Sequence, residues 1–232
     1  MREIIFDTET TGLKAEKGDR IIEIGAIELV NRFPTGNTYH QYINADGKDI
    51  HPDAERVHGI SAEFLADKPV FADIAEDFLK FFNDGKLIAH NAKFDMGFVN
   101  AELKRMSIKP FPWTSVIDTL QLARHKHPMG PNSLDALCKR YNIDNSHRTK
   151  HGALLDAELL ADVYIELLGG KQASLLLDAN EAKSGESAQT SGNVHKMMPR
   201  PNPLPSRLSK DDEQAHEAFI KTIGEDAIWN KV

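Results

Sequence analysis

Apolar and polar residues alternate along the chain in patterns that change from strand-like to helix-like and back. Ile4-Ile5-Phe6 leads into Asp7-Thr8-Glu9-Thr10-Thr11-Gly12, a β-branched run that predicts a buried strand closed by a glycine turn. Successive strand side chains face opposite ways, so Asp7 and Glu9 project on the same side. Arg20 to Val30, with Ile21, Ile22, Ile24, Ile27 and Leu29, predicts a second strand, and Thr38 to Ile43 a third. Short polar turns between them predict an antiparallel meander. His51 to Ile60 contains Pro52 and Gly59 and reads as a loop bearing Val57-His58-Gly59-Ile60. Phe71 to Phe82 then sets Ile74, Phe78, Leu79 and Phe82 near helical spacing, which predicts a helix packed on the sheet. Lys86 to Asn91 reads as a short buried strand, Ala92 to Arg105 as a helix, and Val116-Ile117 as a lead into a helix capped by Asp118. Ser133 to Tyr141 begins with a serine cap, and the segment from Ala153 to Leu168 is strongly helical.

Beyond Leu168 the pattern lapses. From Gly169 to Pro205 there is no Phe, Trp or Tyr, while Gly, Ser, Ala, Asn and Pro accumulate, so this stretch reads as a linker interrupted only by Gln172-Ala173-Ser174-Leu175-Leu176-Leu177. Helical character returns from Asp211 to Val232 with Phe219, Ile220, Ile223, Ile228 and Trp229, an apolar island suited to docking on a partner. The expected organisation is a domain at 1–168, a flexible linker at 169–208 and a docking segment at 209–232.

Composition narrows the partners. The 232 residues are 41% hydrophobic, enough for one good core, and carry a net charge of −7. Such a chain lacks the broad basic attraction of a general nucleic-acid binder. A single cysteine, Cys138, excludes an internal disulfide and a cysteine-based zinc site and suits a reducing interior. No run approaches membrane-spanning length, and the strand begins without a basic and apolar leader, so a cytoplasmic protein is expected.

The carboxylates carry the candidate chemistry. Asp7 and Glu9 share one small space, and a hard divalent cation between them would remove their repulsion. The other reading is a strand end whose Asp and Thr serve the following turn. Asp95 lies in the first turn of its helix, either as an ordinary partner of the helix dipole or as a third acid at a strand end. His151 and Asp156 are five residues apart, about 140° on one helix. They face one site only if His151 lies on the loop before the helix, which Gly152 allows. Glu23 is flanked by Arg20 and Glu28 and reads as a solvated or edge carboxylate. His58, beside a glycine, reads first as structural, with ligand contact the alternative.

Taken in order, Phe6-Asp7-Thr8-Glu9-Thr10-Thr11-Gly12, His90-Asn91-Ala92-Lys93-Phe94-Asp95 and His151-Gly152-Ala153-Leu154-Leu155-Asp156-Ala157 resemble the DEDDh family of 3′–5′ exonucleases, as does the Val57-His58-Gly59-Ile60 loop. The resemblance runs from Arg2 to about Leu168. It implies a ribonuclease H-like α/β fold, a mixed sheet flanked by helices. It also implies two cations, Mg²⁺ with Mn²⁺ able to substitute, held by Asp7, Glu9, Asp95 and Asp156, with Asp7 bridging both and His151 taking the proton from the attacking water. The implied substrate contacts are Asp7, Thr8, Glu9, Thr10, Leu13, His58, Phe94 and Asp156, with the apolar groups stacking on a terminal base without reading it. The tail extends the resemblance to the proofreading members of the family. Gln172 to Leu177 is similar to a sliding-clamp-binding peptide, and the C-terminal segment to one that joins a polymerase catalytic subunit. Frayed or single-stranded 3′ DNA ends are then the expected substrate. A stand-alone exoribonuclease of the same family would share the catalytic residues but have no use for the tail.

Overall fold

The computed structural model describes residues 1–170 and 209–223, which fall in two compact units. In the first, five strands form one sheet: β1 (Arg2–Thr10), β2 (Ile21–Val30), β3 (Phe33–Tyr42), β4 (Lys86–Ala89) and β5 (Val116–Asp118). Their spatial order is β3-β2-β1-β4-β5. β1 to β3 form the antiparallel meander, whereas β4 pairs parallel with β1 and β5 parallel with β4. The helices are α1 (Pro52–His58), α2 (Ala62–Leu65), α3 (Phe71–Phe82), α4 (Lys93–Arg105), α5 (Thr119–Lys126), α6 (Leu134–Tyr141) and α7 (Ala153–Leu167), with α8 (Lys210–Ile223) in the second unit. The mixed sheet flanked by helices is the expected fold class.

Alternation along β1 divides the core. Ile4 and Phe6 face α3 and α4, packing with Phe71, Phe78, Phe82 and Phe98. Ile5 faces the other way, onto Ala157, Leu160, Ala161 and Tyr164 of α7. Each such buried side chain contributes on the order of 1.5–3 kcal/mol through removal of apolar surface from water. The parity continues past the core, so Asp7 and Glu9 leave the strand on the α7 side while Thr8 points to the α4 side.

The close seating of α7 depends on Gly25. In the β1–β2 register Gly25 lies opposite Asp7, and a Cβ on it would stand 2.1 Å from the Leu154 backbone nitrogen. Only a residue without a side chain lets the start of α7 lie directly over the strand pair that carries the acids.

Three expectations change. β3 begins at Phe33, not Thr38, because Asn31 and Arg32 take positive φ (53° and 71°) in a two-residue hairpin turn that pairs Val30 with Phe33. Its early residues are exposed at the sheet edge, where backbone pairing needs no apolar alternation, and Pro34 is tolerated there. His51 to Ile60 contains a short helix, α1: Pro52 takes its first position, the His51 Nδ1 accepts from the Asp53 N–H (3.2 Å), and Gly59 ends it at φ 74°. The proline starts the helix. Glu23 is buried at 3% exposure, opposite Glu9, with its Oε1 2.7 Å from His40 Nε2 on the edge strand. Its neighbours were no guide, since Arg20 pairs with Glu102 and Asp46, and Glu28 with Arg2.

Among the described residues no helix is long and apolar enough to cross a membrane. Gln172 to Leu177, and Ile228 and Trp229 of the C-terminal island, lie outside the described residues.

Candidate active site

One cleft of about 1070 Å³ opens at the end of β1, lined by Asp7, Glu9, Asp95, His151 and Asp156 together with Thr8, Thr10, Leu13, His58 and Phe94. Three separate stretches bring the acids here. β1 delivers Asp7 and Glu9 by period-two alternation. The first turn of α4 delivers Asp95 after a turn in which Asn91 takes φ 65°, held by an Asp118 carboxylate that accepts from both the Asn91 and Leu120 N–H groups. The third stretch is the start of α7, with His151 on the loop just before it and Asp156 in its first turn.

His151 and Asp156 do face one another, Nδ1 to Oδ2 at 3.3 Å. Ligand atoms of Glu9, His151 and Asp156 all lie within 4.8 Å of one another. Asp95 is fixed by the Thr8 hydroxyl, which donates to its Oδ1 at 2.7 Å. Thr10 turns its hydroxyl to the Gly12 carbonyl, 2.6 Å away, and so shapes the strand end without presenting a free side-chain donor.

The electrostatics are those of crowded acids. Burial, then the charges of Asp95, Glu9 and Asp156, push the Asp7 carboxyl well above its ordinary range. Burial likewise raises Glu9 to about 8, helped by Asp156, Glu23 and Asp95, and raises Asp95 to about 7 despite the opposing hydrogen bond from Thr8. Asp156 behaves differently: burial would raise it, but His151 and Arg148 outweigh burial and hold it below the ordinary value. Four carboxylates and one imidazole form an oxygen-rich donor set suited to hard divalent cations, and the raised acids are those a cation would relieve.

Arg148 is the residue the sequence reading passed over. Its Nε and Nη2 donate to Asp156 Oδ1 and Oδ2 at 2.5 and 2.7 Å, and its Nη1 to Asp135 Oδ1 at 2.8 Å. Nη2 also lies 2.8 Å from His151 Nδ1. The signal available was an arginine eight residues before a candidate acid, in an otherwise polar loop.

Among the stacking candidates, Leu13 is 79% exposed at the rim. His58 is buried, and its Nδ1 accepts from the Ile60 N–H at 3.0 Å, so the proton lies on Nε2, which has no partner among the described residues. Burial also lowers the pKa of this ring, keeping it neutral.

Comparison with known proteins gives the family. The Exonuclease family model, RNase_T, matches residues 4–164. The chain is 48% identical over 227 residues to the DNA polymerase III subunit epsilon of Rickettsia felis, covering 96% of this chain and 97% of that one. It is 43% identical over 241 residues to the subunit of the same name from Escherichia coli, covering 98% and 97%. Of solved structures, Exonuclease X in complex with 5′ overhanging duplex DNA matches with a TM-score of 0.54 and 26% identity, over 72% of this chain and 90% of that one. The nuclease domain of 3′hExo, a DEDDh family member bound to rAMP, shares the fold with a TM-score of 0.60 at 18% identity, over 72% and 91%. Exonucleases of this type use divalent metal ions. A family match that takes in all the acids of the cleft, and relatives aligned almost end to end, establish that the chain belongs to the Exonuclease family, RNase_T, in the branch of the DNA polymerase III epsilon subunits.

Proposed function

We propose that this chain is the proofreading 3′–5′ exodeoxyribonuclease of a replicative DNA polymerase, removing mispaired 3′-terminal nucleotides as 5′-mononucleotides. The observation that carries this reading is the meeting of Asp7, Glu9, Asp95, His151 and Asp156 from β1, α4 and α7 in one cleft. Asp7, Glu9, Asp95 and Asp156 would hold two divalent cations, Mg²⁺ with Mn²⁺ able to substitute; when bound, these supply positive charge against the phosphodiester and acidify the attacking water. Asp7 feels the charges of Asp95, Glu9 and Asp156 together and would be the shared ligand. Thr8 orients Asp95 through its hydroxyl. His151, 47% exposed on its loop, takes the proton of the attacking water and can release it to solvent.

Leu13 at the rim and Phe94 offer apolar surface to the terminal base, and the His58 Nε2–H offers a donor. None of these reads base identity, so release is independent of sequence. Discrimination then comes from fraying, since a mispaired end reaches the cleft as a single strand more often than a paired one.

Residues 1–168 supply hydrolysis in this reading, and the rest serves assembly. Gln172 to Leu177 binds the sliding clamp, and 209–232 joins the polymerase catalytic subunit. Phe219 on α8 is 59% exposed, as an anchor for a partner groove would be. A polymerase that presents the primer end explains how a chain of net charge −7 manages without a basic groove of its own.

The test is nucleotide release from a 5′-labelled primer carrying a 3′ mismatch, in Mn²⁺ and then in chelator. Stepwise 3′ shortening with release of 5′-mononucleotides, faster from the mismatched end and absent in chelator, is expected. Internal cuts, activity that survives the chelator, or cleavage of RNA alone would overturn the proposal.

A further inference from the structure

Arg148 has no part in the chemistry above, yet it holds the same carboxylate. Both Asp156 oxygens accept from its guanidinium fork, and the side chain is 8% exposed, buried in the wall of the cleft. A bidentate charge-assisted pair of this kind is among the stronger side-chain interactions. Asp156 is also one of the three residues whose ligand atoms cluster within 4.8 Å, and His151, another of them, takes the remaining Nη2 contact. The guanidinium and a divalent ion therefore call on the same oxygens. Two cations at one carboxylate repel across a buried space, where screening is weak.

The other cations near the opening do not take this place. Lys48 is paired with Asp19 at 3.2 Å, and Lys14 lines the cleft from the turn after β1. Arg148 also has a second carboxylate available. Asp135, whose side chain is 58% exposed, accepts from Nη1, so the guanidinium can leave Asp156 and keep one anionic partner nearer solvent. That removes the cost of stranding a buried charge, which otherwise makes breaking such a pair prohibitive.

We propose that Arg148 is a resident cation of the cleft that competes with a divalent ion for the Asp156 carboxylate, so that loading the ion displaces the guanidinium toward Asp135. The inference rests on the reading of Asp156 as a metal ligand. Arg148 is thus a positioning residue: it holds the Asp156 carboxylate and the start of α7 in place until the ion arrives, and it sets how tightly the ion is held. Its presence weakens ion binding by the free energy needed to break the pair.

The full chain carrying Arg148→Gln or Arg148→Lys is titrated with Mn²⁺ by calorimetry without DNA, and melted both in chelator and in saturating Mn²⁺. Arg148→Gln should bind Mn²⁺ about ten- to a hundredfold more tightly, the factor carried by a hydrogen bond between charged groups. Arg148→Lys, which keeps the charge but not the fork, should fall between it and the unsubstituted chain. Arg148→Gln should melt lower in chelator and recover in saturating Mn²⁺. Unchanged or weaker Mn²⁺ binding, or an equal loss of melting temperature with and without the ion, would make Arg148 a structural pin and overturn the exchange. Asp156→Asn separates the two readings. If it leaves Mn²⁺ binding unchanged, the metal-ligand assignment fails and the exchange with it; if it weakens binding while Arg148→Gln does not strengthen it, the exchange alone fails.

Discussion

The two walls of the cleft carry the same kind of side chain in opposite electrostatic states. On the strand wall, Asp7 and Glu9 with neighbouring Asp95 are crowded, Glu9 and Asp95 buried and Asp7 partly so, and all three are raised, Glu9 to about 8 and Asp95 to about 7. On the helix wall, Asp156 is equally buried but lies under the Arg148 fork and beside His151, and it is lowered. The difference is one of compensation, not burial: an internal cation serves one wall and an external one must serve the other. A cleft built this way is stable with one wall satisfied, and takes up divalent ions because the second wall is not.

The strand wall can be tested most severely at its centre. Asp7→Ala should lower nucleotide release by at least about 10³-fold at saturating Mn²⁺, since it removes the proposed shared ligand. The same substitution should leave the metal-free chain at least as stable, because one member of a repelling buried group is gone. Substantial residual turnover, or a large fall in metal-free melting temperature, would contradict the picture of an uncompensated wall.

On the helix wall, His151→Ala should lower turnover by about 10²–10⁴-fold, the scale of a lost general base, while changing Mn²⁺ affinity little. Pre-steady-state release and calorimetry measured side by side decide this. A large loss of affinity with unchanged turnover at saturation would make His151 a ligand and not a base.

Gly25→Ala attacks the seam between the walls. The added Cβ meets the Leu154 nitrogen at 2.1 Å, so the start of α7 must lift away from β2, carrying Asp156 and His151 from Asp7. A loss of about 1–3 kcal/mol in denaturant unfolding, the usual cost of overpacking, should accompany a loss of activity. Unaltered activity would show that the walls tolerate separation.

The smallest effect is a slope. Glu9 rises from 4.5 to about 8 and Asp95 from 3.8 to about 7, so between about pH 4 and pH 8 the folded chain holds protons that the unfolded chain has released. Stability in chelator therefore falls as pH rises through that window. Asp156, being lowered, contributes stability above its unfolded value that is lost only as pH falls through the folded one. Saturating Mg²⁺ should abolish the downward slope, because the ion takes the place of the protons. Melting curves at fixed ionic strength from pH 5 to pH 8.5, with and without Mg²⁺, measure it.

Most of the architecture is legible in the sequence, because the forces involved are local. Period-two alternation set Asp7 and Glu9 on one side of β1, 3.6-residue spacing outlined α3 and α7, and the Ser133 and Asp118 caps marked two helix starts. His151 could be placed ahead of its helix for the same reason, since Gly152 follows it. What tertiary structure alone decided was compensation of charge. Glu23 looked like a surface carboxylate, yet it is buried opposite Glu9 because β3 brings His40 to it from the sheet edge. Arg148 was given no role, yet its guanidinium folds back across the turn before α7 onto both oxygens of Asp156. Hydrogen-bond caps and hydrophobic periods depend on residues a few positions apart in the chain. Charge neutralisation acts through space, and its partners here are separated by loops whose paths no local pattern specifies.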